Sequence, residues 1–147
     1  MTSATPNARK GWISLLAKAP PARLAALLTD LPVHEVLRPP EIGAVMVQGR
    51  VGGTGEPFNL GEMTVTRCSV RLADGAVGHA WVQGRDKDHA RRAAVADALL
   101  QTDAADEITA RVIAPLAAEA QSLRDGRAAK AAATRVDFFT MVRGEDQ

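Results

Sequence analysis

EMTVTRCSVRLADGAVGHAWVQGRD, residues 62–86, decides the architecture. Thr66, Cys68, Val70 and Leu72 fall on one side of an alternating run, and Arg67, Ser69 and Arg71 on the other. That period of two is the signature of a half-buried strand. Asp74-Gly75 follows, a dipeptide that tolerates positive φ and predicts a two-residue type I′ hairpin turn. AVGHAWVQG, 76–84, is the return strand, and Asp86 stands as N-cap of a helix over KDHARRAAVADALLQ, 87–101, with Ala90, Ala94, Ala98 and Leu99 toward one side. Cys68, alternating with charged neighbours, reads as core.

On the N-terminal side, IGAVMVQGR, 42–50, is a third strand, rich in β-branched residues. Before it, Trp12, Leu15, Leu16 and Ala19 recur at helical spacing, Pro20 and Pro21 interrupt, and Leu24, Leu27, Leu28 and Leu31 resume. Two short amphipathic helices joined at the prolines fit this, the second with Pro21 in its first turn. On the C-terminal side, residues 106–135 continue as helix, with Pro115 opening a new segment and Gly126 weakening its end. The expected fold is α+β: an antiparallel sheet of three to four strands with helices packed on it. One domain covers 1–147, divided into a helical hairpin (1–32), a sheet (40–84), helices (86–132) and an extended tail (134–147).

Composition narrows the function. At 147 residues the chain can bury a core without disulfides or metal, and 46% hydrophobic with 24% charged residues is ordinary for a globular domain. A net charge of +1 provides no broad field toward nucleic acid or an anionic membrane. No apolar run reaches the ~18 residues of a spanning helix, and MTSATPNARKGW lacks the apolar core of a secretion signal. A single cysteine suits a reducing compartment, so a cytoplasmic location is expected.

Three stretches are candidates for chemistry or binding. Gly49, Gly52, Gly53 and Gly55 crowd one loop, but no Gly-Lys-Ser/Thr follows as a phosphate loop requires, and Glu56 opposes an anion. The amides around Gly52, Gly53, Thr54 and Gly55 either form an anion-binding nest or only close a turn. Arg85, Lys87 and His89 gather with Arg91 and Arg92 at a helix start, where free N–H groups favour an anion; an ordinary solvated first turn capped by Asp86 is the alternative. In the tail, Arg135, Val136, Asp137, Phe138, Phe139, Met141, Val142 and Arg143 alternate with apolar residues on both sides. They suit a partner-binding segment or a fourth strand. His34-Glu35 lacks the second histidine of a zinc helix; Asp86, Asp88 and His89 are of ligand type, but the two acids read as partners of the helix dipole, and no metal site is expected.

RVGGTGEPFNLGEMTVTRCSVRLADG (50–75), WVQGRDKDHA (81–90) and TRVDFFTMVRG (134–144), with GW at 11–12 and VIAPL at 112–116, resemble the G-subunit family (PhnG) of the bacterial carbon–phosphorus lyase system. The resemblance covers nearly the whole chain. It implies a component of an assembly that releases phosphate from alkylphosphonates, joined with the H, I and J subunits in a core complex. It further implies a transferase step in which ATP and methylphosphonate, the substrates of the complex, give ribose 1-methylphosphonate 5-triphosphate and adenine, with I as the nucleosidase-type catalyst. The iron–sulfur cluster and S-adenosylmethionine belong to J, leaving this chain no cofactor of its own. No catalytic residue carries over. Two roles remain: a structural and activating subunit docked chiefly on I and inactive alone, or a subunit that contacts ligand directly in a shared active site.

Overall fold

The computed structural model describes residues 6–136. Helices α1 (Pro6–Lys18) and α2 (Pro21–Leu27) lead into strands β1 (His34–Arg50), β2 (Pro57–Leu72) and β3 (Val77–Gln83). Helix α3 (Lys87–Leu99), the short α4 (Ala105–Ile108) and the long α5 (Ala114–Ala133) follow. The sheet is antiparallel in the order β1-β2-β3, so the chain is α+β, with its helices on one sheet face.

The core lies between that face and α3. Cys68, Val70 and Leu72 of β2 and Ala80 and Val82 of β3 meet Ala90, Ala93, Ala94 and Ala98 of α3, while Leu16, Leu24 and Leu28 arrive from the N-terminal helices. The alanines let helix and sheet approach closely, and Gly78 marks the closest point. A Cβ there would collide with the Ala94 carbonyl oxygen and stand 2.6 Å from Ala98 N. Ile108, Val112 and Leu116 complete the cluster from the C-terminal helices.

Asp97 ties the layers together. Its fully buried carboxylate accepts from Arg9 Nη2 at 2.8 Å, Trp12 Nε1 at 2.8 Å and the His79 backbone N–H at 2.9 Å. One α3 side chain thereby fixes α1 and β3 at once, and the desolvated charge is compensated by a cation and two further donors.

Local signals held where local chemistry decides. Asp86 caps α3, its Oδ1 accepting from His89 N at 2.9 Å. The chain breaks between Lys18 and Pro21, with Pro21 at the first helical position of α2.

Four details differ from expectation. The β2–β3 turn is not type I′, because Asp74 keeps a negative φ and only Gly75 is left-handed, at +92°. Gly75 N donates to Leu72 O at 2.9 Å and Leu72 N to Ala76 O at 2.8 Å, the three-residue loop with a glycine bulge. Asp74 Oδ1 accepts from Ala76 N at 3.0 Å and reinforces it.

β1 starts at His34, running through Pro39-Pro40. It is an edge strand, and register shifts between Val36 and Arg38 and between Arg38 and Glu41 accommodate the prolines, which can donate nothing to a ladder. β2 starts at Pro57, so the glycine loop is far shorter than the sequence suggested. Before Pro115 the helical path widens into a π turn at Thr109–Ile113, which accommodates a ring that cannot donate and would crowd the carbonyl four residues back.

Candidate functional site

The geometry sets apart a projecting arm. β3 ends opposite Val65 of β2, and beyond that rung β1 and β2 continue alone, paired from Gly43↔Val65 to Arg50↔Pro57. The two-stranded part projects roughly 25 Å at the usual rise per residue. Register places Ala44 and Met46 on one face with Thr64 and Glu62, and Val45 and Val47 on the other with Met63 and Gly61. Both faces thus carry apolar side chains with no helix over them. Met46 is 54% exposed, Leu60 67% and Phe58 43%, and the Phe58 ring lies across Gly49 of the facing strand.

The glycine loop is the tip of this arm. Gly52 and Gly53 take φ of +59° and +83°, and a Cβ on Gly55 would lie 2.7 Å from the Val51 carbonyl oxygen. Thr54 N and Gly55 N both donate to that Val51 carbonyl, Gly55 at 2.8 Å, and Arg50 Nη1 donates to Gly55 O at 3.1 Å. The amides of Thr54 and Gly55 therefore close the turn rather than face outward.

The basic cluster at the start of α3 is divided. Arg85 and Lys87 are exposed, but His89 is 2% exposed and donates through Nε2 to Leu16 O at 2.8 Å beneath α1. Arg92 donates to Asp88 and to the Leu28 and Thr29 carbonyls at the end of α2, and Arg91 reaches Asp88 at 3.9 Å. His89 is thus not brought to the surface with Arg85 and Lys87. Its helical spacing puts it on the inner face, a signal that its charged neighbours mask in the sequence. Arg135 and Val136 follow α5 after its C-cap Thr134, and Asp137, Phe138, Phe139, Met141, Val142 and Arg143 lie outside the described residues.

The sheet face turned away from the helices carries a group that sequence alone did not assemble. Across three strands the rungs read Arg38, Ser69, His79 and Glu41, Arg67, Trp81. Arg67 donates to Glu41 Oε2 through Nε at 3.0 Å, its Nη2 lies 2.9 Å from the same oxygen, and Arg38 Nη1 donates there at 3.3 Å. Those arginines, Arg67 foremost, hold the Glu41 carboxyl below its usual range. The Arg67 guanidinium stacks 5.6 Å from the centre of the Trp81 ring, and Ser69 Oγ lies 2.8 Å from His79 Nδ1. Alternation had set Arg67 and Ser69 on one face; only the register adds Arg38, His79 and Trp81. Behind this face Cys68 is 1% exposed, and burial raises its thiol pKa.

Among the described residues no helix is long and apolar enough to cross a membrane, and no three His, Cys, Asp or Glu side chains gather as metal ligands. The family model for phosphonate metabolism protein PhnG matches residues 7–144. The chain is also 46% identical over 141 residues to the alpha-D-ribose 1-methylphosphonate 5-triphosphate synthase subunit PhnG of Rhizobium meliloti (strain 1021), covering 94% of this chain and 90% of that protein. With a match of that extent the chain belongs to the PhnG family of phosphonate-metabolism proteins.

Proposed function

We propose that this chain is a non-catalytic subunit of a phosphonate-processing assembly, acting with partner subunits where an alkylphosphonate displaces adenine from ATP to give a ribose 1-alkylphosphonate 5-triphosphate. The arm carries this reading. A two-stranded ribbon is marginal in water, and one with apolar residues on both faces is costly to leave bare. Such an element is stable and useful when a partner encloses it, here chiefly the I subunit. ATP and alkylphosphonate would be substrates of the whole complex, which would work in the cytoplasm, with an iron–sulfur cluster and S-adenosylmethionine held by another subunit.

The experiment is co-expression with the partner subunits and measurement of adenine release from ATP plus methylphosphonate. The assembled complex turns over and the purified chain alone does not. Replacing Met46, Phe58 and Leu60 together with serine lowers adenine release in proportion to the chain lost from the complex. Turnover by the chain alone, or full incorporation of the triple variant, overturns the proposal.

A further inference from the structure

We infer that the open face of the sheet holds a binding site for a phosphoryl or phosphonyl dianion, whose two arginines are engaged in the resting chain by the carboxylate of Glu41. Arg38, Arg67, Ser69, His79 and Trp81 line one cleft of about 430 Å³ on that face. Both guanidinium groups donate to a single oxygen of Glu41, which borders the adjoining cleft with Arg67 and Trp81, and this leaves one positive charge uncompensated. Each guanidinium has five N–H donors, and one shared oxygen engages only a minority of them. Arg67 is held in place by the Trp81 ring beneath it, so its donors are oriented before any ligand arrives. Ser69 and His79, one rung further, add a hydroxyl and an imidazole to the same cleft.

The chemistry selects the ligand class. A carboxylate offers these arginines nothing that Glu41 does not already supply from a tethered position. A phosphoryl or phosphonyl dianion brings twice the charge and a third oxygen out of the carboxylate plane, and the cleft that the two arginines share offers Ser69 and His79 as further polar partners. Glu41 follows the bulged Pro39-Pro40 segment of an edge strand, where a side chain can swing away without disturbing a second ladder. The site rests on the open face alone and stands whether or not the arm docks a partner.

The test titrates the full chain with inorganic phosphate, methylphosphonate, tripolyphosphate and acetate at constant ionic strength. Tryptophan fluorescence and the His79 ring resonances, assigned with His79→Asn, report binding. Saturable binding of the phosphorus oxyanions, and none of acetate, is expected. Glu41→Gln tightens phosphonate binding several-fold because the internal competitor loses its charge. Arg67→Gln weakens it about ten-fold, the loss of a charge-assisted contact, and Ser69→Ala weakens it less while leaving the fold intact by circular dichroism. Acetate binding as well as methylphosphonate, or Glu41→Gln leaving affinity unchanged or lower, overturns the inference. Stronger binding of tripolyphosphate than of methylphosphonate identifies a polyphosphate chain as the ligand, and the reverse order a free phosphonate.

Discussion

From Thr66 to Leu72, alternate residues of β2 are buried under α3, whereas from Pro57 to Thr64 the same strand has no buried residue. Lengths explain the change. The 13 residues of α3 span about 20 Å and the 7 of β3 about 24 Å, against roughly 54 Å for the 16 of β2. Helix cover and third strand run out together, and the remainder of the hairpin has its own ladder and nothing else. Forming a strand and burying it are separate events here, and the uncovered half is where a partner surface is expected.

Substitutions at glycine break the comparison most sharply. Gly78→Val drives a side chain into the backbone of α3 and should cost at least ~3 kcal/mol, enough to prevent cooperative folding. Gly61→Val in the arm meets nothing within 4 Å, and its melting midpoint should stay near that of the parent. Equal destabilisation at the two positions would mean that the arm is covered after all.

The buried anchor comes next. Asp97→Ala releases Arg9, Trp12 and the His79 amide together, and chemical denaturation should show a loss of about 3 kcal/mol. On the exposed surface, Glu107→Ala removes only the 2.9 Å bond to Arg111, and the same measurement should register less than ~0.5 kcal/mol.

Thiol chemistry sharpens the contrast with no expected change in stability. Cys68 is enclosed and its thiol pKa is raised, so at pH 8 less of it is thiolate than for a free thiol, and alkylation should proceed only as fast as the body opens. A cysteine introduced by Leu60→Cys should label at once. Rapid labelling of Cys68 in the native parent would place the cover over β2 elsewhere.

Much of the body was legible because its signals are local. The two faces of β2, the Asp86 cap, the break at Pro20-Pro21 and the burial of Cys68 each follow from a few neighbouring residues. The arm was less so. β1 extends back through Pro39 and Pro40, which cannot donate to a ladder, and only its place at the edge, with its bulges, makes them tolerable. Asp74-Gly75 announced the hairpin, but the two-residue loop it predicts is a three-residue one, because loop length depends on how the flanking strands must twist. His89 was drawn toward the surface by the charges around it, yet the helical face it occupies lies under α1.

By itself, the sequence determined the α+β class, the inward and outward residues of the central hairpin, and the family. Periodicity, capping and turn chemistry act over a few residues, and the family motifs are contiguous runs. Tertiary structure alone decided where helix cover stops, that Asp97 gathers Arg9, Trp12 and the His79 amide, and that Arg38, Glu41, Arg67 and Trp81 meet on one open face. Asp97 is 88 and 85 residues from Arg9 and Trp12, and Arg67 is 26 from Glu41, so strand register and helix docking are what bring them together.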